Sequence, residues 1–161
     1  MQIAEFQLDF SYYSFAVYDS EIDLPGHDWT EIHSDQGFSR RDSSLNYGTL
    51  LQFGYAQVQV LNGDYIHDTA DERAIRVPFY CPTGKVYVEG PEENKPHSFD
   101  IAPGHYLVTA AQQADYDDES LFIRLYFFKV EIPATKSEIL VKDEQLNPPE
   151  QLLETAEIAK F

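Results

Sequence analysis

Two short stretches concentrate the side chains that could do chemistry. The first, HDWTEIHSD at residues 27–35, holds His27, Asp28, Glu31, His33 and Asp35, all ligand types for a transition metal. Their spacing matches no zinc signature, and two histidines with one carboxylate would need a further ligand brought in by the fold. Histidines scattered through a polar loop are ordinarily solvated. On that reading Trp29 pins the loop to the core, and Asp28 or Thr30 caps the turn that follows. The second stretch, ADYDDES at 114–120, sets Asp115, Asp117, Asp118 and Glu119 around Tyr116. It lacks the D-x-D-x-D-G register and the bidentate glutamate of an EF-hand. Three readings stand: a calcium site of the kind that clustered carboxylates form in end loops of β-sandwiches, a solvated turn, or a surface offered to a basic partner. An aromatic ring among charges has the composition of an interface hot spot, which speaks for the last. A Tyr116 ring tucked into the core would speak against it.

Beyond these stretches the chain carries no GxSxG, no HExxH and no phosphate-cradling glycine-rich loop, so no catalytic residue and no cofactor is expected. The one cysteine, Cys81 in VPFYCPTG, has no histidine or aspartate beside it in sequence to activate a thiolate and reads as a small half-buried residue. A single cysteine also rules out an internal disulfide and fits a reducing compartment.

With 28 acidic against 11 basic residues, the formal net charge is −17. A surface that tracks phosphates would form against the protein's own field, which argues against direct nucleic-acid binding and weakly favours a cationic partner. Disorder is not the cause of the acidity, because 43% of residues are hydrophobic and 11 are phenylalanine and 11 tyrosine. The N-terminus, MQIAEFQLDFSYYSF, lacks a basic region followed by an apolar run, so a cytoplasmic location is expected.

The elements that must position these side chains follow a period of two. Segments rich in Val, Ile, Tyr and Phe, bounded by Gly, Pro, Asn and Asp, predict strands near 3–9, 13–18, 53–61, 74–79, 85–89, 96–101, 104–112 and 121–131. QVQV at 57–60 predicts Val58 and Val60 facing the core and Gln57 and Gln59 facing water. PTGK and APGH read as hairpin turns. The expected fold is all-β, an antiparallel β-sandwich, with a long irregular loop region over 20–52 that reads as too irregular for a strand pair and as a long ordered loop or a short helix. The chain divides into a sandwich domain over 1–131 and an extension over 132–161 packed on the body. The extension holds one possible strand, EILV, and then a short helix opened by Pro149, with Leu152, Leu153, Ala156 and Ala159 as its apolar stripe.

Several segments, taken in order, resemble the competence protein J family: YSFAVYD at 13–19, DWT at 28–30, GFSRRDSSLNYGT at 37–49, IRVPFYCPTGKVYVEG at 75–90 and SFDIAPGHYLVTA at 98–110. The resemblance spans about 6–131 and leaves the extension unmatched. The namesake of that family inhibits NucA, a nuclease acting on DNA that enters the cell. The resemblance therefore implies a non-enzymatic inhibitor whose protein partner is a nuclease with a basic groove. An acidic protein can occlude such a groove by charge, and the residues expected to do so are Asp115, Tyr116, Asp117, Asp118 and Glu119. The alternative is a calcium- or ligand-binding sandwich module.

Overall fold

The computed structural model describes residues 1–160. In chain order its strands are β1 (Gln2–Phe10), β2 (Ser14–Asp19), β3 (His27–Asp28), β4 (Phe38–Arg41), β5 (Ser44–Gly48), β6 (Gly54–Asn62), β7 (Arg73–Cys81), β8 (Lys85–Glu89), β9 (His97–Asp100), β10 (Gly104–Asp115), β11 (Ser120–Val130), β12 (Glu138–Val141) and β13 (Glu157–Ile158), with one short helix, α1 (Glu31–Gln36). A six-stranded sheet in the order β1-β6-β11-β10-β7-β12 faces a five-stranded sheet in the order β4-β5-β2-β8-β9, and β13 pairs with β3 apart from both. Alternate residues of the two large sheets meet in one core. Leu8, Val58, Val60, Val77, Ile123, Leu125 and Phe127 come from the first, and Phe15, Val17, Leu45, Tyr47, Val86 and Val88 from the second, all buried.

Each strand expected from the period of two is present, and EILV is β12. Val58 and Val60 point inward, Gln57 is exposed and Gln59 half-buried.

Four expectations need correction. First, the sandwich is not wholly antiparallel, because β6 runs parallel to β11 with Ser120 opposite Tyr55. β6 and β7 run in the same direction, so residues 63–72 must return along the outer face of the six-stranded sheet, where the Ile66 carbonyl accepts from Arg124. Second, 20–52 is not an irregular loop: beside the short helix expected there as one alternative, α1, it holds β3 and an antiparallel strand pair, β4–β5, with Phe38 opposite Tyr47. Third, PTGK and APGH are not hairpin turns. Each carries the chain from one sheet to the other, and they brace one another through a bond from the Ile101 N–H to the Gly84 carbonyl at 2.8 Å.

Fourth, the segment after Pro149 is not helical. It runs extended across α1, and its backbone groups find partners there instead of in their own turn. Gln36 donates to the Leu153 carbonyl at 2.9 Å and accepts from the Leu153 N–H at 2.8 Å. The Ala159 N–H donates to the Gly26 carbonyl at 3.0 Å, and Glu154 pairs with Arg40 at 2.9 Å. A helix this short is marginal on its own, and the tertiary bonds outweigh it.

Candidate functional site: one acidic and aromatic end of the sandwich

Residues 27–35 form a structural unit. Thr30 caps α1, its hydroxyl accepting from the His33 N–H at 3.4 Å while His33 Nδ1 accepts from the Thr30 N–H at 3.0 Å. His33 Nε2 lies 2.9 Å from the Thr155 carbonyl, so one ring nitrogen accepts, the other donates, and the fold uses both. His27 Nδ1 lies 2.6 Å from Ser39 Oγ, and burial, then the nearby charge of Arg41, depress its pKa to about 3. Contrary to expectation, neither imidazole is solvated. Trp29 packs over Gly48 but stays partly exposed, a weaker anchor than the sequence suggested. Among the described residues no group of three or more His, Cys, Asp or Glu side chains is arranged to hold a metal ion.

Cys81 is fully buried. Its Sγ donates to Asp19 Oδ2 at 3.2 Å, and burial, reinforced by that carboxylate, pushes the thiol up to about 12. Asp19 arrives from β2, far away in sequence, and favours the thiol form.

ADYDDES closes the β10–β11 hairpin. Asp115 pairs with Ser120, and residues 116–119 form the turn between them. Asp115 Oδ1 accepts from the N–H groups of Asp117 and Asp118 at 3.2 and 3.1 Å, while Glu119 takes the left-handed conformation, φ 54°, that returns the chain to β11. All five side chains from Asp115 to Glu119 are exposed. Tyr116 is 57% exposed and so lies outside the core. Its hydroxyl donates to Glu72 Oε1 at 2.6 Å, a bond that raises its pKa to about 12 and fixes the ring against the start of β7. The Tyr55 hydroxyl donates to Asp118 and holds that carboxyl below the usual carboxylate range.

The strand register brings two more turns to this end. Phe10 lies opposite Gly54, and Ser120 opposite Tyr55, so β1 ends where β6 and β11 begin. The β1–β2 turn docks on the β5–β6 loop through the Tyr13 N–H to Gln52 carbonyl and Thr49 N–H to Tyr13 carbonyl bonds, both 2.8 Å. Gly54, at φ 146°, lets that loop lie against the acidic turn, where a Cβ would stand 2.6 Å from the Glu119 carbonyl oxygen. Five exposed aromatics therefore share one end with the acidic turn: Tyr12 at 74%, Tyr13 at 48%, Phe53 at 62%, Tyr55 at 39% and Tyr116 at 57%.

Tyr12 and Tyr13 both have positive φ, 54° and 58°. Two-residue hairpin turns of this form favour Asn-Gly, and the left-handed region costs other residues about 1–2 kcal/mol each. Sequence reading missed Tyr12, Tyr13 and Phe53 because a tyrosine pair after a strand looks like more strand. The available signal was the adjacent FSYYSF run, aromatic on every face.

Fold and site together define a class: an acidic, predominantly β-sheet sandwich whose exposed end combines aromatic rings with carboxylates. The chain belongs to the Competence protein J (ComJ) family, whose profile matches residues 7–128. It is similar in fold to the crystal structure of ComJ from Bacillus subtilis, an inhibitor of the DNA degrading activity of NucA, with a TM-score of 0.63 at 19% identity over 79% of this chain and 97% of that one. It is also similar to a structure described as crocagin biosynthetic gene J, with a TM-score of 0.53 at 13% identity over 77% of this chain and 96% of that one. No curated protein matches the chain.

Proposed function

We propose that this protein is a non-enzymatic inhibitor that binds a nuclease and occludes its DNA-binding groove. The observation that carries the reading is the three-turn end, where Asp115, Asp117, Asp118 and Glu119 surround exposed aromatic rings on a family fold whose Bacillus subtilis representative inhibits NucA. A nuclease must line its groove with cations to hold phosphates, so an acidic rim steers association, and the rings supply the buried contact that slows dissociation. Tyr116 and Tyr55 are already fixed by Glu72 and Asp118, which lowers the entropy lost on docking. Two tyrosines kept in a costly backbone conformation at the solvent edge fit a docking role better than a stability role.

Titration of the host's competence nuclease with the purified protein, read as DNA degradation, tests the proposal. Stoichiometric inhibition is expected. Undiminished degradation at a large excess would overturn it.

A further inference from the structure

A cleft of about 650 Å³ lies on the outer side of the five-stranded sheet, beside the three-turn end. Its floor is Ala16, whose register partners are Asn46 on β5 and Glu89 on β8, so the three side chains share one outward row. A methyl group between two longer neighbours keeps that floor low. His27 and Trp29 stand on the β5 side, where the His27 N–H donates to Asn46 and Trp29 packs over Gly48, the β8–β9 connection contributes Glu93 beyond β8, and the exposed Tyr12 also lines the cleft.

The lining is acidic and aromatic, and among the described residues it contains no lysine or arginine. The Tyr18 hydroxyl donates to Glu89 Oε1, which orients the carboxylate and leaves Oε2 without a protein donor among the described residues. Glu93 accepts from the Gly90 N–H at 2.9 Å and from His97 at 2.8 Å, so it adds negative field while itself being held in place. His27 is buried, and that burial together with the charge of nearby Arg41 keeps its imidazole neutral at ordinary pH, so the ring itself adds no positive charge to the cleft. A carboxylate oxygen free of protein donors, in a cleft that two exposed or half-exposed aromatic side chains also line, is the chemistry that receives a flat cation, whose edge donates to the carboxylate while a face lies on a ring. A planar guanidinium meets both demands, whereas an ammonium is a compact, strongly hydrated point charge.

We propose that this cleft receives an arginine side chain presented by the basic protein partner. The identity of the protein presenting it rests on the inhibitor reading above; the chemistry of the cleft does not.

Trp29 is the sole tryptophan of the chain, so its emission reports on the cleft directly. N-acetyl-argininamide titrated at low ionic strength should change that emission saturably, with a midpoint on the order of millimolar for a single cation. N-acetyl-citrullinamide, uncharged and of nearly the same shape, should produce no saturable change. Glu89→Gln should weaken the response about tenfold, which corresponds to about 1.4 kcal/mol. Tyr12→Ala, at an exposed position that leaves folding intact, should weaken it as well. An equal response to citrullinamide, an equal response to lysinamide, or an unchanged midpoint in both variants would overturn the proposal. The titration contains no nuclease, so its failure would leave the inhibitor reading standing, and a failed inhibition assay would leave the cleft's chemistry standing.

Discussion

Replacing Tyr12 by glycine should stabilise the protein, against the usual direction of a large-to-small change. Tyr12 is 74% exposed, so removing its ring forfeits little burial. Its φ of 54° lies in the left-handed region, where an L side chain costs about 1–2 kcal/mol and glycine costs none. Glycine returns about 0.5–1 kcal/mol of that through the greater freedom of the unfolded chain. The net expectation is a gain of about 0.5–1 kcal/mol, which raises Tm by about 1–4 °C in a chain of this size. Paired urea and calorimetric unfolding of Tyr12→Gly and the wild type would measure it. The same variant should bind the partner nuclease more weakly, separating the stability of the turn from its use. A Tyr12→Gly protein less stable than the wild type would refute the reasoning, since the ring would then be contributing more to the fold than its backbone costs.

Acid should destabilise the protein in two stages. His27 has a folded pKa near 3 against about 6.5 unfolded, so the unfolded chain binds the extra proton and stability falls by about 1.4 kcal/mol per pH unit between those values. Asp19, Asp71 and Asp143 are held below the usual carboxylate value: burial opposes their ionisation, and it is outweighed by bonds from Glu21 and Thr83 to Asp19, from Tyr65 and Arg124 to Asp71, and from Arg73 to Asp143. Their contribution is complete above about pH 4 and is lost as pH falls through their lower folded values. Urea midpoints from pH 7 to 3 should show both limbs, and His27→Gln should flatten the first. Gly54→Ala should cost more than about 1 kcal/mol and displace the acidic turn, because φ is 146° and the added methyl would meet the Glu119 carbonyl oxygen at 2.6 Å. Nuclear magnetic resonance shifts at residues 115–120 would report the displacement. Cys81 should resist thiol reagents at neutral pH until the protein unfolds, given its burial and a pKa near 12, and rapid labelling of the native protein would contradict that.

Strands such as β6 were legible in the sequence because one face meets the core and the other meets water, and Val58, Gln59 and Val60 record that difference residue by residue. β5 was not legible, because the whole of Ser44–Gly48 is buried. Ser44 and Asn46, polar in sequence, are satisfied by the Pro25 carbonyl on the covered outer face. The C-terminal segment carried an apolar stripe at helical spacing, yet its backbone is claimed by Gln36 and by β3, partners more than a hundred residues away that no local pattern reveals. At the candidate site the sequence displayed the carboxylates and Tyr116 side by side. Their union with Tyr12, Tyr13 and Phe53 depends on the register of β1, β6 and β11, which the alternation of side chains does not encode.

The central claim, that the acidic and aromatic end docks on a cationic nuclease groove, is tested most directly by stopped-flow association at two ionic strengths. Asp115→Asn, Asp117→Asn, Asp118→Asn and Glu119→Gln made together should slow association while leaving dissociation nearly unchanged, because rim charges act on encounter. Raising ionic strength from 0.1 M to 1 M shortens the screening length from about 10 Å to about 3 Å and should slow the wild type toward the quadruple variant. Tyr116→Ala should instead speed dissociation, by a factor equivalent to about 2 kcal/mol. A quadruple variant that associates with the nuclease as fast as the wild type at low salt would show that the acidic turn is merely solvated and that the interface lies elsewhere.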